Sequence, residues 1–288
     1  MKKITALILF LYFISCDKIE PPYTENIDTG STRAVLIEKF TGHKCSNCPD
    51  ATRKMDELKE VYGDNLISVD IHPGNLAEFT ATDDNYPYDF TTSSGDIISY
   101  DMGTSFLPAG TVNRIPGGLL DSRCWMKDDW ATQINNLLYN ENGDPLDQNI
   151  EIQIETSLNL ISELTISTSI NIINDFPVDY SLCVLITEDS IISPQLDGAD
   201  YIDDYVHNHV YRCAVNGTSG ENINDFLFVG LEGQFMYNST HTITFDTNSN
   251  INWTNDWDNI ENCHVIAYVY NSKTLIIEHT SKKSLVNE

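Results

Sequence analysis

One change of apolar period divides this 288-residue chain and constrains its fold more than any other feature. Before residue 140, apolar residues fall in short β-branched runs and in stripes of period 3.6. After residues 140–148 (NENGDPLDQ) they alternate with period 2. The first pattern suits strands buried on both faces beneath helices, and the second suits antiparallel strands with one buried face. Residues 32–140 are therefore expected to form an α/β domain and residues 149–288 an all-β domain. The turn-rich stretch between them is the boundary.

In the first half, residues 33–40 (RAVLIEKF) and 66–72 (LISVDIH) read as buried strands. Between them Ala51, Met55, Leu58 and Tyr62 mark one stripe of a helix over residues 45–62, with Gly63 at its C-cap. Residues 73–103 are expected to be loops with one or two short helices. Residues 110–115 and 119–122 read as strands broken at Pro116-Gly117-Gly118, and residues 125–139 as a closing helix with Asp128 and Asp129 in its first turn. In the second half, Ile150, Ile152 and Ile154 alternate with Glu151, Gln153 and Glu155. Similar stretches near residues 164–172, 180–186, 205–215, 226–229, 241–246, 263–270 and 275–279 bring the strands to about seven or eight, which predicts an immunoglobulin-like sandwich.

Lys2 and Lys3 precede an apolar run over residues 4–14, then Ser15 and Cys16. That run falls short of the roughly 18 residues needed to span a bilayer but fits the core of an export signal. Residues 1–15 are read as a signal peptide cleaved before a lipid-modified Cys16, and residues 16–31, with Pro21, Pro22 and Gly30, as a tether. The chain carries 16 Lys and Arg against 43 Asp and Glu, a formal net charge of −27. Nucleic acid is excluded as a partner, since that binding rests on cations neutralising phosphates. Past residue 140 there are 4 basic and 23 acidic residues. The cluster of Asp197, Asp200, Asp203 and Asp204 lacks EF-hand spacing and reads as a solvated face.

An exported chain can form disulfides, and Cys45-Ser46-Asn47-Cys48 sits where a strand ends and a helix begins. A thiolate there meets unpaired N–H groups and the positive end of the helix dipole, so its pKa falls. Lys44 adds positive charge, Cys48 is close enough to resolve a mixed disulfide, and Pro49 is tolerated in a first helical turn. Redox exchange, a static disulfide, and zinc with His43 and His72 are all compatible with the motif; a single CxxC in this context favours exchange. Pro108, after Leu107 and before a strand, stands where a thioredoxin-like fold carries a cis-proline facing the cysteines; an ordinary trans turn is the alternative. Glu38 is a candidate acceptor for the Cys48 proton, and His72 a candidate proton shuttle. His207 and His209, two apart on an expected strand, could pair on a metal or simply pack, and neither metal nor cofactor is assigned. Cys124, Cys183, Cys213 and Cys263 are expected to be buried free thiols.

The strings FTGHKCSNCP (residues 40–49), PAGTVNR (108–114) and His207-Asn208-His209-Val210 with Arg212 resemble the family of 28-kDa outer-membrane-protein-related lipoproteins. That resemblance implies a thioredoxin-like domain, a C-terminal β-rich domain and an outer-membrane address, and it implies little about activity. Lys44 before the first cysteine and Ser46-Asn47 between the two depart from ordinary thioredoxins. Two functions follow as expectations. One is membrane-anchored exchange on thiols and disulfides of exported proteins, with Cys45 attacking, Cys48 resolving and Pro108 shaping a peptide groove. The other is a non-catalytic surface binding or assembly lipoprotein that uses its acidic sandwich.

Overall fold

The computed structural model describes residues 32–159, 163–173, 179–230, 234–244 and 260–285; the expected signal peptide, tether and Cys16 lie outside them. Strand β1 (Val35–Phe40) is buried at every position because layers cover both its faces. Helix α1 (Cys48–Tyr62) starts three residues later than its apolar stripe suggested, because the residues before it are spent on turns. Pro49 occupies its first turn, where a missing N–H costs nothing, and Ala51, Met55, Leu58 and Tyr62 form its buried face. Strand β2 (Leu66–Ile71) runs parallel to β1, in register from Val35↔Leu66 to Phe40↔Ile71. Helices α2 (Ala77–Thr80) and α3 (Ser93–Asp101) fill the long connection, and Thr92 caps α3 by accepting from the Gly95 N–H. Strand β3 (Ala109–Val112) pairs antiparallel with the other edge of β1. The strand expected at residues 119–122 is instead a 3-10 turn, since Leu120 and Asp121 hold positive φ values of 56° and 62° that no extended run accommodates. Helix α4 (Lys127–Leu138) closes this half on Trp130, Ile134 and Leu138.

The second half supplies β4 (Ile150–Leu158), β5 (Glu163–Ile172), β6 (Tyr180–Glu188), β7 (Ile191–Ile192), β8 (Gln195–Asp197), β9 (Asp200–Ile202), β10 (Val206–His207), β11 (Val210–Ala214), β12 (Glu221–Asn222), β13 (Phe228–Val229), β14 (Phe235–Thr244), β15 (Cys263–Asn271) and β16 (Ile277–Ser284). A four-stranded antiparallel sheet in the order β13-β14-β5-β4 packs through Ile150, Ile166, Ile170 and Tyr237 on residues of β6 and β15 such as Leu182, Val184, Val265 and Val269. Strand β5 alternates buried with half-buried residues, as a sheet with one solvated face should. Strand β6 is buried at all nine positions, because it lies between two layers. The strand expected over residues 205–215 is split into β10 and β11 by His209, whose φ is +58°.

The two halves share one sheet. β11 pairs in parallel with β2 at Val210↔Asp70, and the Asp70 N–H donates to His209 O at 2.7 Å. The strand order is then β16-β15-β6-β11-β2-β1-β3, with β12 also on β6, making eight strands among the described residues. Residues 140–148 are irregular apart from a Tyr139↔Pro145 bridge, so the boundary lies along the chain and does not separate two sheets. The large sheet curls until its ends meet, with Ile277 N–H donating to Asn113 O at 2.9 Å.

Successive residues of β1 face different layers. Val35 and Ile37 join α1 and α4, whereas Leu36 and Phe40 join α3 and the inward residues of β6 and β15. In that second layer the Arg114 guanidinium grips both oxygens of Glu38 and donates to Tyr268 Oη at 2.8 Å. Thr111 Oγ1 adds a hydrogen bond to Glu38 at 2.9 Å. Glu38 and Arg114 are 0% and 4% exposed, so this pair must be matched by hydrogen bonds to persist.

Candidate functional site

The site is built where β1 leaves the sheet. Thr41 N–H donates to Ile71 O, Lys44 N–H to Phe79 O at 3.0 Å, and Cys45 N–H to Gly42 O at 3.0 Å. Gly42 permits this path, since a Cβ there would lie 2.6 Å from Phe79 O. Lys44 reaches Asp83 at 2.6 Å. Cys48 is the first residue of α1, and its N–H donates to Cys45 O at 3.1 Å, so the pair straddles the helix start. Cys45 and Cys48 form a disulfide with Cα atoms 5.4 Å apart.

That disulfide is covered. Cys45 is 2% and Cys48 1% exposed. The β8–β9 hairpin, about 150 residues away along the chain, binds the motif loop through its backbone. Leu196 N–H donates to His43 O and Gly198 N–H to Ser46 O, both at 2.8 Å. The Gln195 side-chain amide donates to Gly42 O at 3.2 Å and Cys45 O at 3.3 Å. Asp197 holds Arg53 of α1 at 2.8 Å, and Tyr201 Oη donates to Asn85 O at 2.7 Å. The cavity bounded by Cys48, Pro49, Thr52, Asp70, Gln195, Tyr205 and His207 has about 10 Å³ of room, roughly one water and no more.

Beneath the helix start the structure bears on two sequence-based roles. Glu38 faces the inner layer and is held by Arg114, on the side of β1 away from α1, so it is not placed to receive a proton from Cys48. Its neighbour Lys39 takes the helix-facing position. Lys39 Nζ reaches Thr52 Oγ1 at 2.7 Å and Asp70 at 2.8 Å, and Thr52 in turn donates to Cys48 O at 3.4 Å. One residue of parity on a strand decides which layer a side chain enters. His72 follows β2 by one residue and bridges Thr91; it is buried and stacked on Phe90 with ring centroids 4.5 Å apart. Burial, with neighbouring His207 and His43 and nearby cations, drives its pKa well below the ordinary histidine value, which favours the neutral imidazole. His43 is also lowered by burial, and His207 is lowered to about 4 by burial. These three imidazoles with Phe90, Tyr86, Tyr88 and Tyr205 form an aromatic floor.

The Leu107–Pro108 peptide bond is cis, and Pro108 is buried immediately before β3, level with the start of the motif loop by the Phe40↔Ala109 register. His207 and His209 do not converge. His207 bonds Ser193 O at 3.2 Å, while His209 turns to Asp189 at 3.0 Å. No cluster of three metal-ligating side chains occurs among the described residues. Cys124, Cys183 and Cys213 are buried free thiols, and Cys263 is buried as well. Burial pushes Cys124 and Cys183 up to about 11 and Cys213 up to about 12, which keeps them protonated. Sequence reasoning missed Lys39, Asp70 and Gln195. The parity of Val35, Ile37 and Lys39 would have found the first, whereas nothing local marks Gln195.

Among the described residues no helix is long and apolar enough to cross a membrane. The fold is shared with HBP35 of Porphyromonas gingivalis at a TM-score of 0.61 and 14% identity, over 88% of this chain and 75% of that one. A domain of the outer membrane lipoprotein Omp28 from Porphyromonas gingivalis aligns at a TM-score of 0.32 and 19% identity, over 48% of this chain and 88% of that one. No curated protein matches the chain. The family model for outer membrane protein Omp28 matches residues 97–288, two thirds of the length. The chain therefore belongs to the Omp28 outer membrane protein family, and the outer membrane is its location.

Proposed function

We propose that this protein is a non-catalytic binding or assembly lipoprotein of the outer membrane, anchored by lipid on Cys16, in which the Cys45–Cys48 disulfide is a structural staple. The observation that carries this reading is the cover over the disulfide: both cysteines are buried, and the adjoining cavity admits no substrate. A disulfide-exchange nucleophile must be reached by a second sulfur along an open approach. Here Gln195 and the β8 backbone occupy the carbonyls of Gly42, His43 and Cys45 and so cover the motif loop. The staple fixes the loop on which this hairpin is seated. The test is a Cys48→Ala chain expressed in the envelope. The expectation is that no mixed disulfide accumulates on Cys45, and a trapped partner at Cys45 would overturn the reading.

A second reading is thiol–disulfide exchange on exported proteins, favoured by one observation: the pair straddles a helix N-terminus with cis-Pro108 and Lys44 alongside. On this reading the first half is thioredoxin-like, with the β2-β1-β3 order and the CxxC after β1 in support. The facing orders β13-β14-β5-β4 and β11-β6-β15-β16 support an immunoglobulin-like arrangement for the second half. Exchange would require the β8–β9 hairpin to lift. Reduction by a thioredoxin-type reductase at the rate of a free peptide disulfide would favour this reading over the first.

A further inference from the structure

A cavity of about 560 Å³, distant in the fold from the disulfide cover, opens where β16 approaches the C-terminal turn of α1 and the start of β2. Its wall gathers Lys59, Lys282, His264 and His279, with Ser281 and Asn65 between them. Burial lowers the pKa of both histidines, so Lys59 and Lys282 are its cations, in a chain with 16 Lys and Arg against 43 Asp and Glu. Lys59 Nζ donates to Gly63 O and Leu66 O, both at 2.7 Å, which fixes the ammonium and leaves one of its three donors for the cavity. Lys282 has only a 4.0 Å approach to Asp189, a carboxylate already taken by the His209 N–H at 2.5 Å and the His209 ring at 3.0 Å. Asp64 lines the rim and partly offsets the cations. Burial lowers the pKa of both lysines, against the opposing charges of Asp64 on Lys59 and Asp189 on Lys282, and Lys282 lowers Lys59 a little further. Two ammonium groups thus line one space, with Asp64 and Asp189 partly offsetting their charge. An anion placed between them would meet both cations at once.

We infer that this cavity binds a phosphate ester, with Lys59 and Lys282 as its paired cations and Ser281 and Asn65 as neutral partners. Lysines act here as point charges suited to a phosphate dianion, and a bare phosphate leaves most of the space empty, so the ester carries a polar body of sugar or glycerol size. Thr32, at the rim, is the first described residue after the expected tether, so the same chemistry has a membrane source, a lipid headgroup, as well as a soluble one. The inference does not depend on the state of the disulfide.

Calorimetric titration of the detergent-solubilised full chain tests it, with inorganic phosphate, glucose 6-phosphate, glucose and short-chain phosphatidylglycerol below its micelle concentration. Saturable binding of a phosphate ester and none of glucose is expected. Preference for glucose 6-phosphate or for phosphatidylglycerol then names the source. Lys282→Gln and Lys59→Gln should each weaken binding by at least about tenfold, while Lys54→Gln, on the outer face of α1, leaves it unchanged. Because Lys59 also ties α1 to β2, Lys282→Gln is the decisive variant. Wild-type affinity in Lys282→Gln, or no saturable binding of either ester, would overturn the inference.

Discussion

Glu38 and Lys39 are consecutive on β1, and each makes a buried ion pair, yet the two faces they occupy do different work. Glu38 meets Arg114 and, through it, Tyr268 of β15, so its pair joins the first half of the chain to the second. Lys39 meets Asp70 and Thr52 within the first half and supports the start of the cysteine helix. The Glu38 side is sealed on all sides, whereas the Asp70 side chain retains 12% exposure. An ion pair in low dielectric contributes little net stability but is costly to break, and the cost rises with sealing.

The comparison breaks first at Arg114. Arg114→Met leaves the Glu38 carboxylate buried without a partner and should cost about 3–5 kcal/mol in urea unfolding, with much of that regained in Glu38→Gln, Arg114→Met. A single-variant loss below about 1 kcal/mol would contradict the inter-half role. Lys39→Met should cost less, about 2–3 kcal/mol, because Asp70 can relax toward its exposed edge or take up a proton.

The pH dependence sharpens the contrast. Burial raises the Asp70 pKa above its ordinary 3.8, against the pull of Lys39. An acid whose folded pKa is raised contributes stability that is present below the ordinary value and lost as pH climbs through the raised one. Asp70→Asn should therefore flatten the stability profile over that window, and Lys39→Met should extend the loss to higher pH. Unfolding midpoints measured across the pH series would detect either change, and an unaltered profile in Asp70→Asn would contradict the assignment.

Two smaller effects test the cover. Cys45→Ser, Cys48→Ser opens a short loop and should cost about 2 kcal/mol in thermal unfolding with the circular dichroism unchanged. Gln195→Ala removes bonds from the hairpin to Gly42 and Cys45. A loss of about 1.4 kcal/mol from local closure should speed reduction by dithiothreitol about tenfold, with little change in global stability. An unchanged rate would show that the hairpin is not what shields the pair.

Periodicity made much of the fold legible. The α1 stripe of Ala51, Met55, Leu58 and Tyr62, the Ile150–Ile152–Ile154 alternation and the closing helix expected over residues 125–139 lie where the sequence puts them. The strand expected at residues 119–122 failed because positive φ at Leu120 and Asp121 leaves no mark on composition. The same cause bent residues 205–215 at His209 and parted the two histidines. The motif cysteines could be found from spacing, and their burial could not, because Gln195 and Leu196 approach from the far half of the chain. The continuation of β2 into β11 escaped for a similar reason: it rests on one register pair between distant segments.

That single register pair carries a consequence for anyone who would split the protein. A truncation after residue 148 would strip β11 from β2, orphan the Asp70 amide that donates to His209 O and uncover the β2 edge beside it. Such an edge is a template for another chain. Arg114 would at the same time lose Tyr268 as its ceiling. The fragment should aggregate on expression, and no choice of linker would rescue it.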